Sequence, residues 1–296
     1  MVDGLQIALG GAAVGLAVGM TGMGGGALMA PLLVLVFRVD PLVAVSSDVL
    51  SSLAMKPVGA WVHLRRGTVH GGIAKALCAG SVPAAFLGAW AVERLGHSAA
   101  LERWLTRGIG CALLLACCAM VLRRLLERRS PKAGGRSAQA VRLAPTVAIG
   151  AVGGLMVGAT SVGAGSLMMV MLIALYPSLE GASLVGTDLV QAIPLVASAA
   201  LGHLLFGEVH LGLTGWLVVG AVPATWFGAQ LSARAPAGLI RVALFGVLLA
   251  SGLKLLGLGT GWLWAALLVA GLGTMAGVAR AAGGRRRDVA GLDTRT

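Results

Sequence analysis

Charge is scarce in this sequence. Asp, Glu, Lys and Arg make up 11% of its 296 residues, against about 25% in a soluble domain, which excludes an ordinary water-soluble fold. Cysteine offers little chemistry. Cys78, Cys111, Cys117 and Cys118 fall within apolar stretches and lack the spacing of metal ligands, so they read as small buried hydrophobes. No carboxylate–histidine spacing suggests a metal site, and no nucleophile motif occurs. Neither a metal, a cofactor nor enzymatic activity is therefore expected. The N-terminus has Asp3 and no basic segment, and the first apolar run is too long for a signal peptide.

What fills the chain is apolar. Hydrophobic residues account for 57% of it, and the mean hydropathy is +0.91. Runs of membrane-spanning length fall at about 42–63, 72–92, 106–122, 181–204, 211–231, 238–256 and 260–279. The 46 glycines fit such a protein, because small residues let membrane helices approach closely. Trp61, Trp90, Trp216, Trp226, Trp262 and Tyr176 fall near span ends, as an aromatic belt requires. The fold class expected is an all-α polytopic membrane protein.

Two further apolar runs, 4–37 and 143–176, are too long for one span, and each is interrupted by a glycine-rich break. The first break reads Gly19-Met20-Thr21-Gly22-Met23-Gly24-Gly25-Gly26, the second Gly158-Ala159-Thr160-Ser161-Val162-Gly163-Ala164-Gly165. Other landmarks recur in step: Asp48 with Asp188, His63 with His203, His70 with His210 and Pro83 with Pro223, each pair 140 residues apart. The chain is a tandem repeat. Residues 1–122 form the first repeat, 123–142 a basic linker, 143–258 the second repeat, 259–280 an extra helix and 281–296 a basic tail.

Each broken run reads as a helical hairpin dipping into the membrane, followed by three spans. Residues 123–142 hold seven Lys or Arg against Glu127, and the tail from Arg280 holds five Arg against Asp288 and Asp293. The positive-inside rule puts both in the cytoplasm, beside anionic lipid. No folded basic domain remains to bind nucleic acid. Counting spans from the linker places the N-terminus outside and makes the halves point in opposite directions, the inverted-repeat plan of secondary transporters. One discord is that Arg94, Arg103 and Arg107 fall near an external loop, offset in part by Glu93 and Glu102.

The breaks are the first candidate site. A helix restarting inside the membrane has unpaired N–H groups at its N-terminus, which with the helix dipole favour an anion. Thr21, Gly22, Gly24, Gly25 and Gly26 would supply one half-site, and Thr160, Ser161, Gly163, Gly165 and Ser166 the other; alternatively the glycines only permit tight helix crossing. Ser46, Ser47 and Asp48 match Gly186, Thr187 and Asp188, six or seven residues into their spans, with Gln191 one turn beyond Asp188. An ionisable group within a membrane helix is costly and marks function by default. Asp48 and Asp188 are candidates to carry a coupling proton, or else cap the hairpin arms. Lys56 has no counterpart, Val196 standing in its place; it would either meet an anionic substrate or snorkel toward the cytoplasm. His63 and His203 are further proton-coupling candidates, with interfacial packing as the plainer role.

With these residues the sequence resembles the TauE/SafE family of sulfite and organosulfonate exporters, also called the 4-toluene sulfonate uptake permease family. The resemblance is carried by Gly22–Gly26 followed by Pro31, by Ser47-Asp48, and by His63 with Gly67-Thr68-Val69. It is carried again by Gly163-Ala164-Gly165, Thr187-Asp188 and His203 with Gly207-Glu208-Val209. It implies export of small anions such as sulfite, thiosulfate, sulfonates or related carboxylates across a bacterial inner membrane, driven by protons. The second half departs from the pattern, since Ala164 interrupts its glycines and no proline matches Pro31. The partners expected are a small anionic substrate, protons, anionic lipid and a second copy in a homodimer. The alternatives are a cation permease using Asp48 and Asp188, or a membrane subunit without a transport cycle.

Overall fold

The structure is a computed structural model describing residues 3–21, 25–94, 99–129, 140–163, 165–207, 209–231 and 237–258. The expected extra helix at 259–280 and the tail lie outside the described residues, as do 130–139 of the linker. Ten α-helices occupy the rest: α1 (Gly4–Thr21), α2 (Gly26–Leu35), α3 (Pro41–Arg65), α4 (Gly71–Arg94), α5 (Ala99–Arg129), α6 (Leu143–Thr160), α7 (Leu167–Leu175), α8 (Gly181–Phe206), α9 (Leu211–Leu231) and α10 (Ala237–Leu255). No strand occurs among the described residues. Helix α5 continues past the expected span end at 122 and carries Arg123, Arg128 and Arg129 on its last turns.

Six helices are long and apolar enough to cross a membrane: α1, α4, α5, α6, α8 and α9. Two expected spans, α3 and α10, fall outside that set. For α3 the reason is chemical. Its 25 residues include buried Ser46, Ser47, Asp48, Ser51, Ser52 and Lys56. These polar groups are shielded by neighbouring helices, so the hydropathy criterion fails where burial is deepest.

Both long broken runs fold back on themselves. Gly10 faces Leu32 and Phe37, and Gly25 approaches Val18, so α2 returns alongside α1. In the second run Gly153 faces Met168, while the Tyr176 hydroxyl lies 2.6 Å from Thr146 Oγ1 and accepts the Arg142 backbone N–H at 3.0 Å. Helix α7 therefore returns alongside α6. The returning arms have 10 and 9 residues, about 15 Å of rise and half a bilayer's apolar depth. Tyr176 is fully buried, which overturns its expected place in the aromatic belt; its hydroxyl ties the second hairpin together. Trp61, Trp90, Trp216 and Trp226 are partly to largely exposed, and Trp262 lies outside the described residues.

Glycine stripes set the closest helix pairs. On α1, Gly11, Gly15 and Gly19 lie against the backbone of Leu217, Ala221 and Thr225 of α9; a Cβ on Gly11 would stand 2.8 Å from the Leu217 carbonyl oxygen. On α6, Gly150, Gly154 and Gly158 lie in the same way against Leu77, Ser81 and Ala85 of α4. A side chain at any of these positions would push two backbones apart. Paired residues rise together along both contacts, so α1 runs parallel to α9 and α6 parallel to α4. Helix α4 also runs parallel to α8: Ser81 bonds Gln191, Ser198 bonds the Val82 carbonyl, and Glu93 meets His203. The main apolar core lies between these pairs, built on Val45, Val49, Ile109, Leu113, Leu195 and Ala199.

Candidate functional site

The two breaks meet. Gly26, at the start of α2, packs against the carbonyl of Ser161 at the end of α6, and a Cβ there would collide with that backbone. Residues that the sequence placed in separate half-sites thus share one cavity: Gly26 from the first break, Ser161, Gly163, Gly165 and Ser166 from the second, and Lys56 from α3. Ser161 takes a left-handed conformation (φ 58°) and Gly163 has φ 118°. Ser161, a non-glycine residue, thus carries backbone strain at the site. Ser166 and Gly25 are the N-cap positions of α7 and α2, so both helices begin at this meeting point. Their first N–H groups have no carbonyl one turn back within the helix.

Lys56 is 8% exposed, which excludes snorkelling to the interface. It follows Asp48 and Ser52 at intervals of four on one face of α3, a stripe visible in the sequence once spacing is counted. Ser52 Oγ donates to Asp48 Oδ1 at 3.3 Å. Lys56 lies within electrostatic reach of both Asp188 and Asp48, yet no carboxylate comes within salt-bridge distance of it among the described residues. It also lines a second cavity, together with Ser52, Gly19, Gly25, Leu189 and Thr225. Lys56 and Ser52 form the wall between the two spaces.

The remaining candidates divide. Asp188 Oδ1 accepts from Gln191 Nε2 at 3.1 Å, and Gln191 Oε1 accepts from Ser81 Oγ at 3.1 Å. Gln191 Nε2 also lies 3.1 Å from Met168 Sδ at the start of α7, tying the α8 polar stripe to the second hairpin. Among the described residues, Ser47 Oγ and Asp48 Oδ2 are buried without a hydrogen-bond partner, although the Ser161 side chain reaches toward the Asp48 carboxyl. Thr21 and Thr160 donate to the carbonyls of Ala17 and Met156 in their own helices, both at about one turn's distance. Gly22 and Gly24 lie outside the described residues.

Other residues stand apart from the cavity. Thr187 donates to Ser183 O at 2.6 Å and accepts from the His70 backbone N–H at 2.9 Å, anchoring the turn between α3 and α4. His63 serves the same turn through Thr68, with Nδ1 2.9 Å from Oγ1. Ser46 donates to Leu42 O and faces His203. Ser52, Ser81 and Glu93 join these polar contacts without any local motif to mark them. Glu93 was expected to offset Arg94 at a surface loop; instead its side chain is 2% exposed and lies 3.0 Å from His203 Nδ1. Nothing in the sequence distinguishes it from an ordinary span-end carboxylate.

The comparison with known families decides the class. The profile described as "Sulfite exporter TauE/SafE" matches residues 7–255. The chain belongs to the TauE/SafE family. It is 32% identical over 254 residues to the "Probable membrane transporter protein YjnA" of Bacillus subtilis (strain 168), covering 85% of this chain and 99% of that protein. The "Probable membrane transporter protein YdhB" of the same organism is 23% identical over 244 residues, with 82% and 96% covered. No solved structure matches. This TauE/SafE member is a multi-pass helical membrane protein of a transporter family.

Proposed function

We propose that the protein is a secondary transporter exporting small anions such as sulfite, thiosulfate, sulfonates or related carboxylates across the inner membrane, coupled to protons. The observation that carries this reading is the meeting of the two hairpin tips at Lys56. Two helix N-termini and one buried ammonium surround a single cavity lined by Ser161 and Ser166. An oxyanion there would receive backbone donors, hydroxyls and a counter-charge together. Desolvating that many donors around an empty apolar space would be costly. Asp48 and Asp188, within electrostatic reach of Lys56, would balance its charge as the anion enters and leaves.

The two halves act as inverted repeats in this account. Support comes from helix directions: α4 runs with α8, while α3, the counterpart of α8, runs against it, Ser46 facing His203 at one end and the His70 N–H bonding Thr187 at the other. Corresponding helices would then oppose one another, with the hairpins entering from opposite faces. Alternating access would rock one repeat against the other around the tips.

A second reading, a cation permease, draws on the unpartnered Asp48 Oδ2 and Ser47 Oγ. One experiment separates the two. Purified protein is heated with sulfite, thiosulfate, a sulfonate and divalent cations. A ligand that binds the native state raises the melting temperature with concentration. The anion reading expects a rise with an oxyanion that Lys56→Met removes. A rise with a cation alone, removed by Asp48→Asn, would establish the other.

A further inference from the structure

We propose that Glu93 and His203 form the site where the coupling proton is taken up and released, and that its occupancy sets the position of the second hairpin tip. This rests on the reading of the protein as a proton-coupled anion carrier. It moves the proton away from Asp48 and Asp188 to a pair outside the cavity.

Hydrogen-bond valence carries the inference. His203 is fully buried, with Nε2 2.9 Å from the Gly158 carbonyl oxygen and Nδ1 3.0 Å from Glu93 Oε1. A carbonyl can only accept, so Nε2 bears a hydrogen. Ser46 Oγ stands 3.5 Å from Nδ1, but its single hydrogen is donated to Leu42 O at 2.8 Å. Ser46 can therefore only accept here. The short Nδ1–Oε1 contact then requires one proton between imidazole and carboxyl. Without it, two lone pairs face each other in a site closed to water.

The consequence reaches the cavity through the backbone. Gly158 lies on the last turn of α6, three residues before Ser161, whose carbonyl packs on Gly26. With the proton present, His203 holds that helix end while Glu93 holds His203. When the proton leaves from Nδ1, the Ser46 hydroxyl turns from Leu42 O to donate to Nδ1 and the Glu93 carboxylate is expelled, so His203 shifts toward α3 and, through the Nε2–Gly158 bond that it keeps, draws the end of α6 with it. Glu93 stands one residue before the end of α4, so the proton has a short route to the aqueous face. Ser46 lies two residues before Asp48, which links the same event to α3.

The surroundings contain no competing titratable group among the described residues. Helix α6 has none over Leu143–Thr160. Helix α3 presents Ser46, with Asp48 further along and bonded to Ser52, while Asp40, just before the helix, is engaged by the Leu42 N–H at 2.8 Å. Helix α5 presents apolar Leu101 and Leu105 near Val92, while its Glu102, Arg103 and Arg107 are exposed. Arg94, on α4 itself, lies over the Trp90 ring at 5.6 Å, and the turn after α8 presents Gly207 to the carboxylate. The pair belongs to one half only. His63 serves the α3–α4 turn, and Ala233 stands 140 residues after Glu93.

Wild type, Glu93→Gln, Glu93→Asp and His203→Gln are reconstituted in liposomes with radiolabelled sulfite, thiosulfate or a sulfonate in turn. Two rates are read: exchange at equal pH on both sides, and accumulation driven by an imposed pH gradient. A glutamine at 93 can donate to Nδ1 and keep the pair joined without titrating. Exchange by Glu93→Gln should stay within about twofold of wild type, while gradient-driven accumulation falls at least tenfold; Glu93→Asp should restore the drive. Gradient-driven accumulation by Glu93→Gln at the wild-type rate would overturn the proposal. So would loss of exchange together with a collapsed thermal transition in both Glu93→Gln and His203→Gln, which would assign the pair to the fold. Absence of exchange in the wild type with any oxyanion would instead overturn the carrier reading beneath it.

Discussion

The two glycine breaks look alike in sequence and do different work. The first ends in Gly24-Gly25-Gly26; what is described of it offers backbone, and Gly26 lets the other tip touch it. The second is held by side chains: Thr160 Oγ1 accepts from the Val162 N–H at 3.3 Å, Ser161 takes the left-handed conformation, and His203 grips the Gly158 carbonyl. One tip supplies room and the other supplies shape. Segments that match in sequence can therefore differ in what their side chains hold, as His63 on the α3–α4 turn and His203 on Gly158 do.

The sharpest way to break this comparison is to fill the space on the glycine side. Gly26→Val puts branched carbon into the Ser161 backbone and should abolish transport, with a stability loss of at least the ~1–3 kcal/mol typical of overpacking. Gly181→Val, where nothing lies within 4 Å, should leave transport intact. Parallel transport and melting assays check both, and equal tolerance would show that the tips do not meet. Next in size is Lys56→Met, which should remove oxyanion-dependent thermal stabilisation while the protein still folds, since methionine fills a similar apolar volume. Lys56→Arg should retain part of the response.

Smaller effects probe the second hairpin. Tyr176→Phe removes the hydroxyl that accepts the Arg142 N–H and meets the buried Thr146 Oγ1, and should cost about 0.5–1.5 kcal/mol, read as a lower melting temperature with an unchanged response to the anion. An altered anion response would mean that the hairpin base, as well as its tip, shapes the site. Ser161→Gly should be the mildest. Glycine relieves about 1 kcal/mol of left-handed strain, partly offset by greater freedom in the unfolded chain. It should weaken anion binding severalfold through the missing hydroxyl, measured by titration calorimetry. Tighter binding would place the specialised shape elsewhere.

The sequence made the architecture readable because glycine interruptions in apolar runs have few other causes. Spacing of four also contained the Asp48–Ser52–Lys56 stripe, although Ser52 passed unnoticed and Lys56 looked free to snorkel. What stayed hidden depends on contacts between distant segments. Glu93 beside Arg94 has the local appearance of a surface carboxylate, and its partner lies 110 residues away. Tyr176 at a span end resembled a membrane anchor until the returning arm buried it. Local pattern reveals where the membrane helices break; it does not reveal which polar residue each break turns toward.

The central claim is that both tips and Lys56 hold one oxyanion between them. Its most direct test is an experimental structure with selenite, located by the anomalous scattering of selenium. The account predicts a peak between Ser166, Ser161 and the Lys56 ammonium, lost in Lys56→Met. Selenite bound only at the arginines near the end of α5, with the cavity between the tips empty, would contradict it.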